Sequence, residues 1–227
     1  AMAGACPYPV PQGSQVLLRD TALALHYRGH EVCLVVYGHG DPAGASEPGP
    51  LRVYRAARIP GARRTATGPS LAKPLHDLAL VRALRRAVRD NAVEVVHAHN
   101  YEALLAALAA GHRPLVYHAH NAMADELPYF IAGSGRFGAW LDRWLPRRAD
   151  HVIAPHARLA DYLAAEGCPR ERITVVPPCI DVDLFEPGPV STETPPVLYT
   201  GNLDRYQNLG LLLDAVYNRA LPETPDA

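Results

Sequence analysis

At 227 residues the chain has room for one ordinary domain and part of a second. Hydrophobic residues make up 48%, which supports a large core and excludes a disordered polymer, and the formal net charge of −1 supplies no overall field for nucleic acid. The four cysteines, Cys6, Cys33, Cys168 and Cys179, form no C-x-x-C pair and read as reduced thiols of a cytoplasmic protein. No apolar run reaches the ~20 residues of a membrane-spanning helix, and the N-terminus has no basic signal-peptide region.

Residues 1–6 (AMAGAC) predict a short first strand. Residues 14–29 carry leucines and alanines at helical spacing and end on Gly29, a natural C-cap. Strands are predicted at 30–37 and 51–56, then an amphipathic helix at 74–91. A strand at 93–99 leads into a helix at 101–111, and a further strand covers 114–120. The run closes with a strand at 149–155, a helix at 156–167 and a strand at 172–178. Apolar strands alternating with helices imply βαβ units: an α/β fold with a Rossmann-like parallel sheet and helices on both faces. Residues 1–176 are thus read as the first domain. The Pro-rich passage 177–196 reads as a linker. At 197–227 a strand, a Gly turn and a helix restart the pattern, so a second domain begins and is truncated, with too few residues to bury a core alone.

Ligands of open parallel sheets gather at the carboxyl ends of the strands. After the first strand come Gly13, where the backbone can approach a ligand closely, and Ser14, which can cap the next helix. Free N–H groups there suit a phosphate or sugar hydroxyls, although a capped helix start explains the same residues. No G-x-G-x-x-G or G-x-x-x-x-G-K-[ST] is present. Two His-x-His pairs end two strands: His97 with His99, and His118 with His120. Alternate strand residues share a face, so each pair can point one way. Four imidazoles could bind zinc and imply a metal-dependent hydrolase, with Asp125 and Glu126 the nearby carboxylates. Alternatively, His97 and His118 are hydrogen-bonded core residues, and His99 and His120 are the exposed candidates for chemistry. The Asp-x-Asp of Asp181 and Asp183 reads as a capping or hinge feature.

Six stretches in order, "LALHYRGHEV", "VVHAHN", "LVYHAHN", "ADHVIAPH", "ITVVPPCIDVDLFEP" and "VLYTGNLDRYQNLGLLLDA", resemble family-4 glycosyltransferases. The resemblance implies two facing Rossmann-like domains of GT-B type, acceptor mainly on the first and nucleotide sugar mainly on the second. It implies retaining sugar transfer of hexosyltransferase type, with a nucleotide-sugar donor as substrate, no cofactor and no required metal. The family's loop near donor phosphate and acceptor falls on Gly13 and Ser14. Its important histidine, which contacts the donor sugar near the reacting carbon, falls on His120. Asn121 and Glu126 become pocket neighbours, with His99 and Asn100 across the edge. Gly201 and Arg205 fall in the second domain's phosphate turn, where Asn202 and Gln207 stand in place of the family's Arg and Lys, and Cys179 replaces a Gly. The acidic E-x7-E donor motif is not identifiable. The chain therefore reads as mainly the acceptor domain, inactive alone. The other alternative is a noncatalytic α/β carbohydrate- or nucleotide-binding module.

Between Arg52 and Arg89 stand ten Lys or Arg and one acid, Asp77. Arg82, Arg85, Arg86 and Arg89 share one helix face, with Leu78, Val81, Leu84 and Val88 on the packing side. A solvated face accounts for this; so does peripheral docking on anionic lipid at the inner membrane face, at ~1 kcal/mol per basic residue. Several relatives glycosylate lipids at that leaflet, so a lipid-linked acceptor fits the second reading.

Overall fold

Seven short strands line up in parallel: β1 (Met2–Gly4), β2 (Cys33–Val36), β3 (Arg52–Arg55), β4 (Val96–His99), β5 (Leu115–His118), β6 (His151–Ala154) and β7 (Ile173–Val175). Their order in the sheet is β3-β2-β1-β4-β5-β6-β7. Between them run α1 (Gly13–Tyr27), α2 (Lys73–Asn91), α3 (Asn100–Ala110), α4 (Met123–Phe130), α5 (Gly135–Trp144) and α6 (Ala157–Ala165), and α7 (Leu209–Ala220) follows. The computed structural model describes residues 1–10, 12–40, 49–59, 72–180, 182, 188, 197–201 and 207–220. Contacts divide the chain into two compact units, Ala1–Ile180 and Asp181–Ala227.

The strands are apolar on both faces because both faces are covered. Met2, Leu34 and Val36 pack with Leu18 and Ala22 of α1. The alternate residues Ala3, Val35, Ala98, Tyr117 and Val152 face the other way. They pack with Leu80 and Leu84 of α2, Leu104 of α3, and Leu159 and Leu163 of α6. Each such leucine contributes about 1.5–3 kcal/mol by leaving water. Helices on both faces of a Rossmann-like sheet are therefore confirmed.

Several boundaries differ from the predicted ones. The second strand starts at Cys33, not at residue 30, because His30 and Glu31 are exposed and unable to join a buried sheet. Leu78 was expected on the packing side of α2, yet it is 49% exposed, while Val81 and Leu84 are buried as expected. Residues 197–201 form no strand, and Val197 and Leu198 are 72% and 79% exposed. Without paired neighbours an apolar run has no ladder to join.

Two helices, α4 and α5, went unpredicted. Pro128 lies inside α4 and removes one ladder hydrogen bond, which obscures the pattern. The pair is held by a close approach: a Cβ added at Gly138 of α5 would stand 2.3 Å from the Met123 carbonyl oxygen of α4. Asp142, one turn further along α5, accepts from the Met123 and Ala124 N–H groups, each at 3.0 Å, and so caps α4 from outside. Among the described residues no helix is long and apolar enough to cross a membrane.

Candidate functional site

In the sheet order the chain turns back between β1 and β4, so a crevice opens at their carboxyl ends. Register brings the expected residues there. Gly4 pairs with His99, and His99 pairs with His118. His97, His99 and His118 share the sheet face opposite Val96, Ala98 and Tyr117, which belong to the larger core. Their ring centroids are 4.6 Å (His97–His99), 4.6 Å (His99–His118) and 5.4 Å (His97–His118) apart. The two His-x-His pairs are therefore one cluster.

The roles within the pairs need correction. His99, expected at the exposed tip, is 2% exposed and more enclosed than His97 at 9%. It sits in mid-sheet between Gly4 and His118, and its backbone starts α3. His97 and His118, expected to be hydrogen-bonded in the core, are not. His97 Nε2, His99 Nε2 and His118 Nδ1 are buried with no hydrogen-bond partner among the described residues. His99 Nδ1 lies 3.2 Å from His120 Nε2, one ring donating and the other accepting. Half-buried His120 is the member of the four that reaches the surface.

Burial, helped by neighbouring histidines, holds His97 and His120 down to about 3. Burial alone holds His118 down to about 4, and burial with its three neighbours puts His99 well below the usual range. All four rings are neutral at neutral pH. None can serve there as a protonated general acid; each can offer a lone pair or an N–H.

Around this cluster the other expected residues fall at the same edge. Gly13 and Ser14 are exposed at the start of α1. The expected capping by Ser14 does not occur: Gln12 is the N-cap, with no side-chain cap bond, and Ser14 is already helical. The first ladder bonds are donated by Gln15 (3.0 Å) and Val16 (2.9 Å) to the Gln12 carbonyl, so the Gly13 and Ser14 N–H groups precede the ladder. A Cβ added at Gly13 would meet nothing within 4 Å, so the space beside it is open. Asn100 opens α3 with φ +70°, a left-handed conformation that Asn tolerates. Asn121 Nδ2 lies 3.4 Å from Glu126 Oε2. Burial raises the Glu126 carboxyl above its usual range, and the Asn121 amide opposes this.

The sequence pattern of Glycosyltransferase Family 4 matches residues 11–184. The chain belongs to glycosyltransferase family 4. No curated protein matches it in sequence. Among solved structures, sucrose-phosphate synthase from Thermosynechococcus elongatus resembles it with a TM-score of 0.74 at 16% identity, over 96% of this chain and 59% of that one. HepE from Anabaena, solved in complex with UDP and glucose, does so with a TM-score of 0.58 at 20% identity, over 83% of this chain and 47% of that one. These likenesses are of fold. The chain spans about half the length of these two structures.

Residues of the family-4 chain that sequence reasoning missed lie close by. Lys73 Nζ contacts Glu102 Oε1 at 2.8 Å, joining the starts of α2 and α3. Asp142 accepts from the Tyr101 and Tyr162 hydroxyls besides the two α4 N–H groups. The available signal was an acid inside the apolar repeat "FGAWLDRWL", where only a fully hydrogen-bonded carboxylate can be buried.

The basic face of α2 is real: Arg82, Arg85, Arg86 and Arg89 are all exposed. Arg85 donates to the Ala109 carbonyl at 2.6 Å, and Arg86 and Arg89 lie 3.3 Å and 3.7 Å from Asp90. A cleft lined by Arg52, Tyr54, Arg55, Arg86 and Asp90 opens beside β3, at the sheet edge and away from the histidines. In the second unit Gly201 takes φ +157°, with Tyr199 against it. Arg205, Asn202, Asp181 and Asp183 lie outside the described residues.

Proposed function

We propose that this family-4 chain supplies the acceptor side of a retaining, nucleotide-sugar-dependent transferase of hexosyltransferase type. The acceptor is a glycan or a lipid-linked sugar, and the donor binds against the carboxyl edge of the β1–β4 crevice. In this reading residues 1–176 form the acceptor domain, 177–196 the linker and 197–227 the start of the donor domain, and the chain alone is incomplete for turnover. HepE was solved with UDP and glucose, which supports a nucleoside-diphosphate sugar as donor here.

The observation that carries the reading is the placement of His120. It stands at the crevice edge, hydrogen-bonded at 3.2 Å to buried His99. The carboxyl-end edge also carries the start of α1 with Gly13 and Ser14. The diphosphate is the leaving group of the transfer. The Gly13 and Ser14 N–H groups stabilise its growing charge. His120, neutral and fixed by His99, orients the donor sugar through hydrogen bonds to its hydroxyls. Glu126, Asn121 and Asn100 complete the sugar-facing edge. No step is routed through a metal.

In the natural full-length protein, His120→Ala should lower sugar-transfer turnover by ~10² or more, the loss typical of one positioned hydrogen bond. Turnover within a few-fold of the parent removes His120 from the site. A full-length protein that binds UDP-sugar but never transfers it establishes the noncatalytic binding module instead.

The exposed arginines of α2 support a peripheral, inner-face membrane location in the cytoplasm, suited to a lipid-linked acceptor. Cosedimentation with liposomes checks this. Binding should rise with anionic lipid and fall when Arg82 and Arg86 are replaced by Gln; equal binding to neutral and anionic vesicles ends the idea.

A further inference from the structure

Three imidazoles are buried together, each with one ring nitrogen that has no hydrogen-bond partner among the described residues. Burying even one polar nitrogen without a partner costs free energy, and native interiors rarely tolerate it. Here His97 Nε2, His99 Nε2 and His118 Nδ1 are all in that position. One ligand atom from each ring lies within 4.8 Å of the others. The three come from adjacent strands in exact pairing, His99 opposite His118, so the cluster is set by sheet register and not by mobile loops.

We propose that His97, His99 and His118 bind one divalent transition-metal ion of the zinc class. A set of imidazoles alone suits zinc, copper or nickel and does not suit magnesium or calcium, which require oxygen ligands. Zinc holds imidazole nitrogens at about 2.0–2.1 Å, so tetrahedral ligands stand roughly 3.3 Å apart. The present spacing, up to 4.8 Å, has to contract toward this distance when the ion binds. The fourth position is left for solvent. All three rings are already neutral at neutral pH, as ligands must be, so no proton has to be displaced.

The hydrogen bond outside the cluster completes the arrangement. A metal-bound histidine ordinarily donates its other N–H to an outer partner, which fixes its tautomer. His99 has that partner: with Nε2 on the ion, Nδ1–H donates to His120 Nε2 at 3.2 Å. The proton of neutral His120 then stays on Nδ1, as a donor for a hydroxyl or phosphate oxygen. The ion is thus a positioning device beneath the edge, and His120 remains outside its coordination shell. The site follows from strand register and stands or falls separately from sugar transfer.

The test uses the tag-free chain, stripped by dialysis against a chelator and titrated with zinc chloride by calorimetry, with metal content measured by plasma mass spectrometry. One zinc per chain is expected, and cobalt in its place should give the intense visible absorption of a four-coordinate site. His97→Gln, His99→Gln and His118→Gln should each weaken zinc binding by more than ~100-fold, the upper end of the cost of losing an outer partner. His120→Ala should weaken it by about 10–100-fold. His30→Gln, at an exposed residue remote in sequence, should leave it unchanged. Absence of stoichiometric zinc overturns the proposal, as does equal weakening by His30→Gln and the ligand variants. Should circular dichroism show that a ligand variant does not fold, the cobalt spectrum of the parent chain decides. A six-coordinate spectrum, or no bound cobalt, rejects the site.

Discussion

Asp142 and the histidine edge are both buried and polar, and the chain satisfies them in opposite ways. Asp142 is 1% exposed and receives four donors, from Tyr101, Tyr162, Met123 and Ala124. At the histidine edge, among the described residues, three ring nitrogens receive none, and Glu126 has a single amide contact at 3.4 Å. A carboxylate that only ties helices together has its lone pairs used up within the protein. Groups held ready for something else keep theirs available. At these two places, saturation of hydrogen bonding separates scaffold from candidate site more sharply than burial does.

The contrast can be broken most forcefully at Asp142. Asp142→Ala leaves two phenol hydroxyls and two N–H groups without their acceptor. At ~1–3 kcal/mol for each group left buried and unsatisfied, the loss should be about 4 kcal/mol or more. Urea denaturation measures it, and a loss of a few tenths would remove Asp142 from the scaffold. At the histidine edge the same measurement should give the reverse. His118→Leu exchanges an unpartnered ring for an apolar side chain and should change the stability of the metal-free chain by less than ~1 kcal/mol. A large loss would mean that His118 has a structural partner after all.

The smallest effect concerns Glu126. Burial raises its carboxyl, so between the ordinary and the raised value the folded chain keeps a proton that the unfolded chain has released. Stability contributed by this group is therefore present at low pH and lost as pH rises through that window. Glu126→Gln should flatten this part of a melting-temperature series run from acid to neutral pH. An unchanged slope would show that Glu126 is solvated like any surface acid.

How far the sequence could be read follows from the same physics. Among the described residues periodicity located five of the seven helices and all seven strands of the sheet, because nearly all of them are runs that bury apolar side chains. It missed α4 and α5, whose pattern is broken by Pro128 and whose union depends on Gly138, a contact visible only in three dimensions. At the site, parity along a strand correctly placed His97 with His99 on one face. Parity carries no information about which strands become neighbours. Only the order β1-β4-β5 sets His99 between Gly4 and His118, which is why it is buried and not at the tip. The resemblance to family 4 was legible from six ordered stretches and is confirmed over residues 11–184.

The pairing of β4 with β5 has one further consequence, for inheritance. His118 and Tyr117 are consecutive and face opposite sides, one toward the histidine cluster and one into the larger core. One residue inserted ahead of Leu115 would shift the register and exchange them. A tyrosine would enter the cluster and a histidine the oily side in a single event. Substitutions can tune either face separately, but insertions and deletions cannot. Length changes in this lineage should therefore collect in the loops and helices, while β4 and β5 keep their lengths even as their residues drift.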